Sequence, residues 1–418
     1  MKNKNKLHIL YLHQHFAHPS GSSGGRSYEF SKILLEKGHK ITMVTGIYDR
    51  GGLSDYSDKL ISRHIIDGID VNIINIKYNH VMTNYHRIIS FLKYIVVSLF
   101  VIIKIKNVDV VFATSTPLTI TIPGMLASCL YRCPFIFEVR DLWPEIPIKL
   151  QILKNPIVIL AAKLLELISY SKSTKIIALS PGIKDGILSH TIIDSRDVSI
   201  VMNSSDVELF RVDRNVGKLY RTTLGIKSER PLLVYAGAVG RVNGIDYLVR
   251  IAEEMLNINK NFAFAIVGDG IEKEKVIRLA KEKYLLNENV FIYDPVPRDK
   301  LAPLLSSASL LSSFVIPNKV MENNSANKFF DAFAAGKPVV INYGGWQAEL
   351  LRKTDAGLQI HSNDPKKAAI SINEFINSSE KMKKSEVASK KLGDEVFNRL
   401  LLADDMEKVF YQALKEYF

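Results

Sequence analysis

The sequence predicts an α/β protein of two doubly wound, Rossmann-like domains, and three observations predict it. Short apolar runs alternate with helical stretches through most of the chain, the pattern of parallel sheets covered by helices on both faces. The alternation restarts near residue 231, after a charged and weakly periodic segment at residues 203–230. The 418 residues suffice for two domains of about 200 residues each. Ligands of such sheets bind in the crevice outside the carboxyl ends of the strands, so a cleft facing those ends is expected.

The first series opens with a strand at residues 7–12, followed by the glycine-rich stretch 21–25. A helix then runs over residues 26–37, is stopped by Gly38, and leads to a strand at residues 40–45. Further strands fall at residues 71–76, 109–113, 134–139, 175–179 and 198–202. Asn155-Pro156 supplies a cap and a first-turn proline for a helix over residues 157–170. The second series begins with a strand at residues 231–236. A helix follows Asn243, then a strand at residues 262–267 that ends in Gly268-Asp269-Gly270, and another at residues 290–293. A polar turn at residues 322–327 precedes a helix that ends at Gly336, and residues 338–342 return as a strand. The tail from about residue 364 is helical and polar. Repeats of solenoid length are absent.

Composition narrows the function. Hydrophobic residues make up 47% and charged residues 23%, which excludes a largely disordered chain. Two cysteines, Cys129 and Cys133, are too few for a disulfide framework or a four-cysteine zinc site, and read as reduced thiols. The amino terminus has a basic start and a short apolar run broken by histidines. It reads as a buried strand rather than a signal peptide, so a cytoplasmic protein is expected. Residues 1–205 carry 24 basic and 15 acidic side chains, whereas the rest carry 31 and 28. The basic first half suits an anionic partner, either a phosphorylated substrate or an anionic membrane surface. Nucleic acid is disfavoured, because no Lys/Arg block, aromatic RNA motif or zinc-finger spacing accompanies the charge.

Residues 87–104 are apolar nearly all round, with Arg87, Lys93, Lys104 and Lys106 in or beside them. The stretch is too short and too interrupted to span a bilayer comfortably. Two readings compete: a helix buried against the sheet, or a helix partly exposed to an anionic bilayer surface.

Four segments could carry chemistry. Gly24, Gly25 and Arg26 open the first helix, where glycines allow close backbone approach to a phosphate and the helix end offers N–H donors. A plain strand–helix turn would look similar, and neither GxGxxG nor a P-loop is present. Residues 137–145 place Glu138, Arg140, Asp141, Trp143 and Glu145 just beyond a strand end. Such density of charge is either an internally paired cluster or a substrate-facing site. His13, Gln14, His15 and His18 form a polar cleft wall rather than a metal site, since nothing fixes a third ligand. Residues 322–331 lead into a small-residue helix. Its N-terminus and Lys328 can hold a diphosphate, and Asp331 can accept from sugar hydroxyls. Gly344-Gly345-Trp346 repeats a glycine-opened turn one βα unit later.

The run Asn327-Lys-Phe-Phe-Asp-Ala-Phe-Ala-Ala-Gly-Lys-Pro-Val-Val340 resembles the donor-binding motif of family 4 glycosyltransferases. So do Gly24-Gly25-Arg26, residues 137–145, Tyr235-Ala-Gly-Ala-Val-Gly240 with Asn243-Gly244, and Gly268-Asp-Gly270. The likeness spans nearly the whole chain and looks closest to the N-acetyl-L-fucosamine transferases of bacterial surface-polysaccharide synthesis. It implies the GT-B fold, with an acceptor-binding domain at residues 1–205, a donor-binding domain at residues 206–399, and a C-terminal helix at residues 400–418 packing back on the first.

It also implies a retaining transfer from a UDP-sugar to an undecaprenyl-diphosphate-linked saccharide in O-antigen or capsule synthesis. The expected setting is the inner face of the cytoplasmic membrane, with no metal and no cofactor. The implied catalytic residues are Glu138, Arg140, Asp141 and Lys328. The implied donor contacts are Gly24, Gly25, Arg26, Gly237, Arg241 and Asn243, then Gly268, Val296, Glu322, Asn327, Asp331, Gly345 and Trp346. The implied acceptor contacts are His13, His15, Thr116, Trp143 and Glu145. The chain departs from the family pattern at several places. In the family's Glu-x7-Glu pair, Asp331 takes the second place and Asn323 the first, with Glu322 adjacent. The phosphate-binding Arg and Lys appear as Ala238 and Asn243, and Arg140 stands where a histidine is usual. Arg26, Arg241 and Lys328 are then the expected diphosphate cations. A nucleotide-sugar 2-epimerase of the same architecture and a non-catalytic nucleotide-sugar-binding scaffold are the rival readings. The absence of GxGxxG with a following acid disfavours a nicotinamide oxidoreductase.

Overall fold

The computed structural model describes residues 6–21, 25–49, 51–56, 59–79, 82–204 and 206–418. The chain divides into two compact units, Met1–Met202 with Leu402–Phe418, and Asn203–Leu401.

In the first unit the strands are β1 (His8–Leu12), β2 (Lys40–Tyr48), β3 (Ile61–Ile66), β4 (Ile69–Tyr78), β5 (Val110–Thr114), β6 (Phe135–Val139), β7 (Lys175–Ala178) and β8 (Val198–Ile200). They form one sheet in the order β3-β4-β2-β1-β5-β6-β7-β8. All neighbours are parallel except β3 and β4. Strand order reverses at β1, so the carboxyl ends of β1 and β5 flank the topological switch point. Its helices are α1 (Arg26–Glu36), α2 (Asn84–Ile102), α3 (Thr121–Tyr131), α4 (Glu145–Lys149), α5 (Pro156–Lys172) and α6 (Pro181–His190). The Asn155 side chain caps α5 by accepting from Ile157 N and Val158 N, with Pro156 in the first turn.

The sequence reading gave a strand at residues 71–76, within β4, but passed over β3 and the hairpin that joins the two. Its turn is Asp67-Gly68, with φ of 48° and 87°. A two-residue turn with both φ positive matches the right-handed twist of the strands it joins, so Asp-Gly there was a legible signal. The Arg63 guanidinium lies across the pair on Asp70 at 2.6 Å. Residues 87–104 lie almost wholly in α2, which is buried on one side and exposed on the other. Tyr94, Ile95, Val101 and Ile102 are buried, while Leu92, Val96 and Phe100 are exposed.

In the second unit the elements in chain order are α7 (Val207–Phe210), α8 (Arg214–Thr223), β9 (Leu232–Ala236), α9 (Ile245–Ile258), β10 (Ala263–Val267), α10 (Lys273–Glu282), β11 (Val290–Tyr293) and α11 (Arg298–Ser307). There follow β12 (Leu310–Ser313), α12 (Asn327–Ala334), β13 (Val339–Ile341), α13 (Gly345–Thr354), β14 (Gly357–Gln359), α14 (Pro365–Asn377) and α15 (Ser379–Glu395), after which α16 (Arg399–Tyr417) belongs from Leu402 onward to the first unit. The sheet is fully parallel in the order β11-β10-β9-β12-β13-β14, which puts its switch point between β9 and β12. The sequence reading missed β12 and β14. In β12 the two serines look like loop but are buried, and Ser312 Oγ donates to Val234 O at 3.1 Å.

The two faces of the first sheet are covered differently. On one, Tyr28, Phe30 and Leu34 of α1 share a core with Leu402, Met406 and Phe410 of α16. Phe410 meets Phe112 of β5 edge-on, with ring centroids 5.2 Å apart. The other face carries α2, α3, α5 and α6. Because Phe410 is fully buried, Phe410→Ala should destabilise the first unit by about 3–5 kcal/mol. Urea unfolding followed by a probe in that unit measures this, and a loss below about 1 kcal/mol would show that α16 is not part of its core.

Candidate active site

The two switch points each carry a cluster of polar side chains, and each is described within its own unit. In the second unit, β9 ends at Ala236 and the chain turns at Gly237 with φ of 150°. A Cβ on Gly237 would lie 2.3 Å from Cε and 2.9 Å from Nζ of Lys328, so glycine leaves the space that the lysine occupies. A Cβ on Gly268 would lie 1.8 Å from Gly237 O, so the loops after β9 and β10 close on each other. Lys328 sits in the first turn of α12, and its ammonium lies 5.1 Å from the Tyr235 ring centroid. Burial lowers Lys328 from 10.5 to about 8, while the Asp331 carboxylate one turn further on pulls it back up. No side chain caps α12, which begins after Ala326. Its first-turn N–H groups and the lysine therefore favour an anion at one place. Asn327 is exposed beside them and Asp331 is half-buried.

The turn that aims α12 is held from α13. Trp346 Nε1 and Gln347 Nε2 both donate to Asn324 O, at 3.1 and 3.0 Å. The Trp346 ring packs on Phe329 and Phe330. The indole, expected as a donor contact, is thus engaged in positioning the turn before Lys328. Gly345 opens α13 with φ of 77°, and its Cβ position would lie 2.7 Å from Glu322 O. The Glu322 carboxylate lies against Gly344, where a Cβ would be 3.1 Å from Oε1. A polar cavity of about 450 Å³ adjoins, lined by Asn318, Lys319, Glu322, Asn342, Gly344 and His361 among others.

Arg241 and Asn243 lie in the turn after β9. Arg241 is 81% exposed and 3.7 Å from Glu272, while Asn243 Oδ1 accepts from Gly240 N at 3.3 Å. Val296 is half-buried in the loop after β11, the edge strand on the far side of β10.

In the first unit, Arg26 is committed elsewhere than its expected role as a diphosphate cation. Its Nε and Nη2 donate to Glu138 Oε1 at 3.0 and 2.8 Å, and Nη1 and Nη2 also donate to Met202 O and Val201 O. Both side chains of the pair are buried, at 4% and 0% exposure. Thr114 Oγ1 donates to Glu138 Oε2 at 2.5 Å. Removing one partner of such a pair leaves a buried charge and costs about 3–5 kcal/mol.

His13, just past β1, is buried and bonds Ser27 Oγ through Nδ1 at 2.7 Å. Burial, and then the charge of Arg140, hold its imidazole well below 6.5, so it is neutral at pH 7. Arg140 N donates to Ser115 Oγ at 2.9 Å, which ties the segment after β6 to the segment after β5. Thr116 is half-buried next to Ser115, and Asp141 is exposed. Trp143 is half-buried, and Glu145 pairs with Lys149 at 2.5 Å. His15 packs its ring on Tyr78, with centroids 4.4 Å apart. Gly25 is the residue before α1, and Gly24 lies outside the described residues. Sequence reasoning missed Thr114 and Ser27 and named Tyr235 only as part of the motif at residues 235–240, although Thr114 and Tyr235 sit at or next to the carboxyl ends of strands beside the switch points.

Comparison with known proteins bears on both units. Residues 218–392 match the family model described as glycosyl transferases group 1. Sucrose-phosphate synthase from Thermosynechococcus elongatus superposes with a TM-score of 0.77 at 14% identity, over 98% of this chain and 99% of that one. The fold is GT-B. HepE of Anabaena in complex with UDP-glucose also superposes, with a TM-score of 0.70 at 15% identity over 97% of this chain and the whole of the other. In sequence, α-maltose-1-phosphate synthase of Mycolicibacterium smegmatis is 24% identical over 261 residues, covering 61% of this chain and 66% of that protein. The chain spans 41 to 66% of the length of the curated relatives it matches. In this GT-B chain the group 1 match contains Gly237, Lys328, Asp331 and Gly345.

The neutral His13 gives a pH test. Its folded pKa lies below its unfolded value, so its contribution is present above about pH 6.5 and is lost as pH falls. His13→Gln should remove that loss. Relative to the wild type, the variant should gain about 1 kcal/mol of stability between pH 7.5 and 5.5. Denaturant midpoints at the two pH values check it, and parallel shifts in both proteins would show that the ring is protonated in the fold.

Proposed function

We propose that the protein is a glycosyltransferase that moves a sugar from a UDP-sugar to a saccharide carried on undecaprenyl diphosphate, with retention at the anomeric carbon. The observation that carries the reading is Lys328, a half-buried lysine whose ammonium lies beside Gly237 at the uncapped start of α12, inside the stretch that matches the group 1 model. The UDP-glucose complex of HepE, a protein of the same fold, supports a nucleotide-sugar donor. An N-acetylated deoxyhexosamine such as N-acetyl-L-fucosamine is the proposed sugar, on the resemblance of residues 137–145 and 327–340. The proposed setting is the cytoplasmic face of the membrane, in O-antigen or capsule synthesis.

The transfer breaks the bond between the anomeric carbon and the diphosphate oxygen and forms one to the acceptor hydroxyl on the same face. The acceptor's proton passes to the departing phosphate oxygen, so no protein nucleophile takes part. Charge grows on the diphosphate as the bond lengthens, and Lys328 with the α12 N–H groups is preorganised to meet it. Because those groups stand ready in a desolvated place, they act without reorganisation. Asp331 accepts from the ribose hydroxyls, and Asp141 and Arg140 orient the acceptor. No metal is invoked.

Lys328→Ala removes an interaction that strengthens towards the transition state, so kcat should fall more than donor affinity does. Asp331→Asn loses charge-assisted bonds to the donor, and UDP affinity should fall about tenfold, roughly 1.4 kcal/mol. Isothermal titration with UDP beside turnover assays reads both. Wild-type UDP binding by Asp331→Asn together with full turnover by Lys328→Ala would end the donor-site reading. Incubation with UDP-HexNAc alone separates an epimerase, which converts the donor without acceptor.

Transfer should also persist at its starting rate in excess EDTA. Abolition by EDTA with rescue by manganese or magnesium would show that the diphosphate is held through a metal.

A further inference from the structure

The outer faces of α2, α3 and α5 are apolar and open. On α2, Tyr85, Ile88, Leu92, Val96 and Phe100 are exposed, at 55% for Leu92 and 60% for Phe100. Their spacing of three and four residues places them on one side of the helix. The opposite side is fastened to the sheet, where Tyr94 OH donates to Val44 O at 2.9 Å. On α3, Leu126 and Leu130 are exposed. On α5, Ile157, Leu160, Leu164, Leu167 and Ile168 are exposed, at 76% for Ile157 and 60% for Leu160. Only Ser169 and Tyr170 of α5 are buried. The three helices are contiguous, because α3 packs on α2 and on α5. Exposed apolar side chains gathered on three adjoining helices are more than singly scattered surface residues, and such groupings mark interaction sites.

Charge completes the description. Lys93, Lys104, Arg132, Lys154, Lys163 and Lys172 lie on or at the ends of these helices and are exposed. None of the six makes an ion pair with another described residue. Helices α2 and α3 contain no acid, and the acid of α5, Glu166, is half-buried and accepts from Tyr170 OH at 3.2 Å.

We propose that the outer faces of α2, α3 and α5 form one docking surface that lies in the headgroup layer of an anionic bilayer, apolar side chains inserted and lysines at the phosphates. An interfacial surface of this kind binds through buried apolar area together with attraction of its cations to anionic lipids. The long lysine stems reach past the apolar layer to keep their ammonium groups among the headgroups. Two other occupants fit less well. A second copy packed by a two-fold axis would bring the same cations of both copies together. A membrane span formed by Tyr85–Ile102 has the length and the apolar composition, but inserting it would pull Tyr94 and Val101 out of the core and uncover β4.

This surface deepens the transferase reading by giving it a route to a lipid-borne acceptor, and its test is independent of turnover. The purified full chain is sedimented with vesicles of phosphatidylcholine alone or mixed with phosphatidylglycerol. The expected result is binding to the anionic vesicles, weakened by high salt. The double variant Leu160→Glu, Leu164→Glu should bind them at least tenfold less, and Lys93→Glu, Lys163→Glu should lose the preference for anionic lipid. These positions are exposed, so circular dichroism and UDP titration should match the wild type.

Three outcomes overturn the proposal. One is equal sedimentation of the wild type and the leucine variant. Another is a concentration-dependent dimer that the leucine variant dissolves, with no vesicle binding. The third is resistance of the membrane-bound protein to alkaline carbonate, which marks a span. Vesicle binding that persists in a chain unable to bind UDP would sink the donor reading and leave the docking surface standing.

Discussion

A single ammonium held in a desolvated corner organises the second unit. Lys328 reaches from the first turn of α12 to the place a Cβ would take on Gly237, against the face of Tyr235. A buried charge is tolerated only where nearby dipoles and opposite charges offset its lost hydration. Here the offset is partial, as the lowering to about 8 records. The backbone has to comply with that placement. Gly237 takes a conformation that side-chain-bearing residues rarely adopt, Gly268 lets the next loop close over it, and Trp346 with Gln347 fixes the turn that aims the helix. Together these turn a sheet edge into a place that an incoming anion stabilises.

The first unit solves the opposite problem. Arg26 and Glu138 neutralise each other in the interior, Thr114 supplies one further donor, and His13 is held neutral. The charges of Arg26 and Glu138 are thus matched within the cluster. Its bonds run to Val201 O and Met202 O, the last residues before the second unit begins. The same glycine-opened helix start that looks like a phosphate loop in sequence thereby fixes the exit of the chain.

How much of this was legible follows the physics of each signal. Fully buried parallel strands such as HILYL of β1 and FIFEV of β6 stand out as apolar runs. Strands whose polar atoms are satisfied inside do not, and β12, with its buried serines, was lost for that reason. The placement of Lys328 and Asp331 in the first turns of α12 was readable because a cation and an acid one turn apart open a small-residue helix. The task of Trp346 was not, because whether an indole faces a ligand or a backbone carbonyl 22 residues away depends on tertiary packing. Arg26 was misplaced among the diphosphate cations for the same reason, since its acid partner lies 112 residues further along the chain.

The two faces of the first sheet differ in what they leave exposed. A helix that buries one stripe against a sheet is expected to turn charged residues outward. α2 turns Leu92, Val96 and Phe100 outward, and α5 turns Ile157, Leu160 and Leu164. Full burial of such a side chain is worth about 1.5–3 kcal/mol, and these, 51–76% exposed, forgo more than half of it, so the arrangement does little for the stability of the isolated fold. On the opposite face of the same sheet, α1 and α16 bury their large apolar residues in one core. The contrast lies within a single unit and a single sheet, which excludes a general looseness of packing as its cause. The docking surface proposed for α2, α3 and α5 accounts for that contrast: their outer sides would meet a second apolar phase, and the cations around them would face its anionic headgroups.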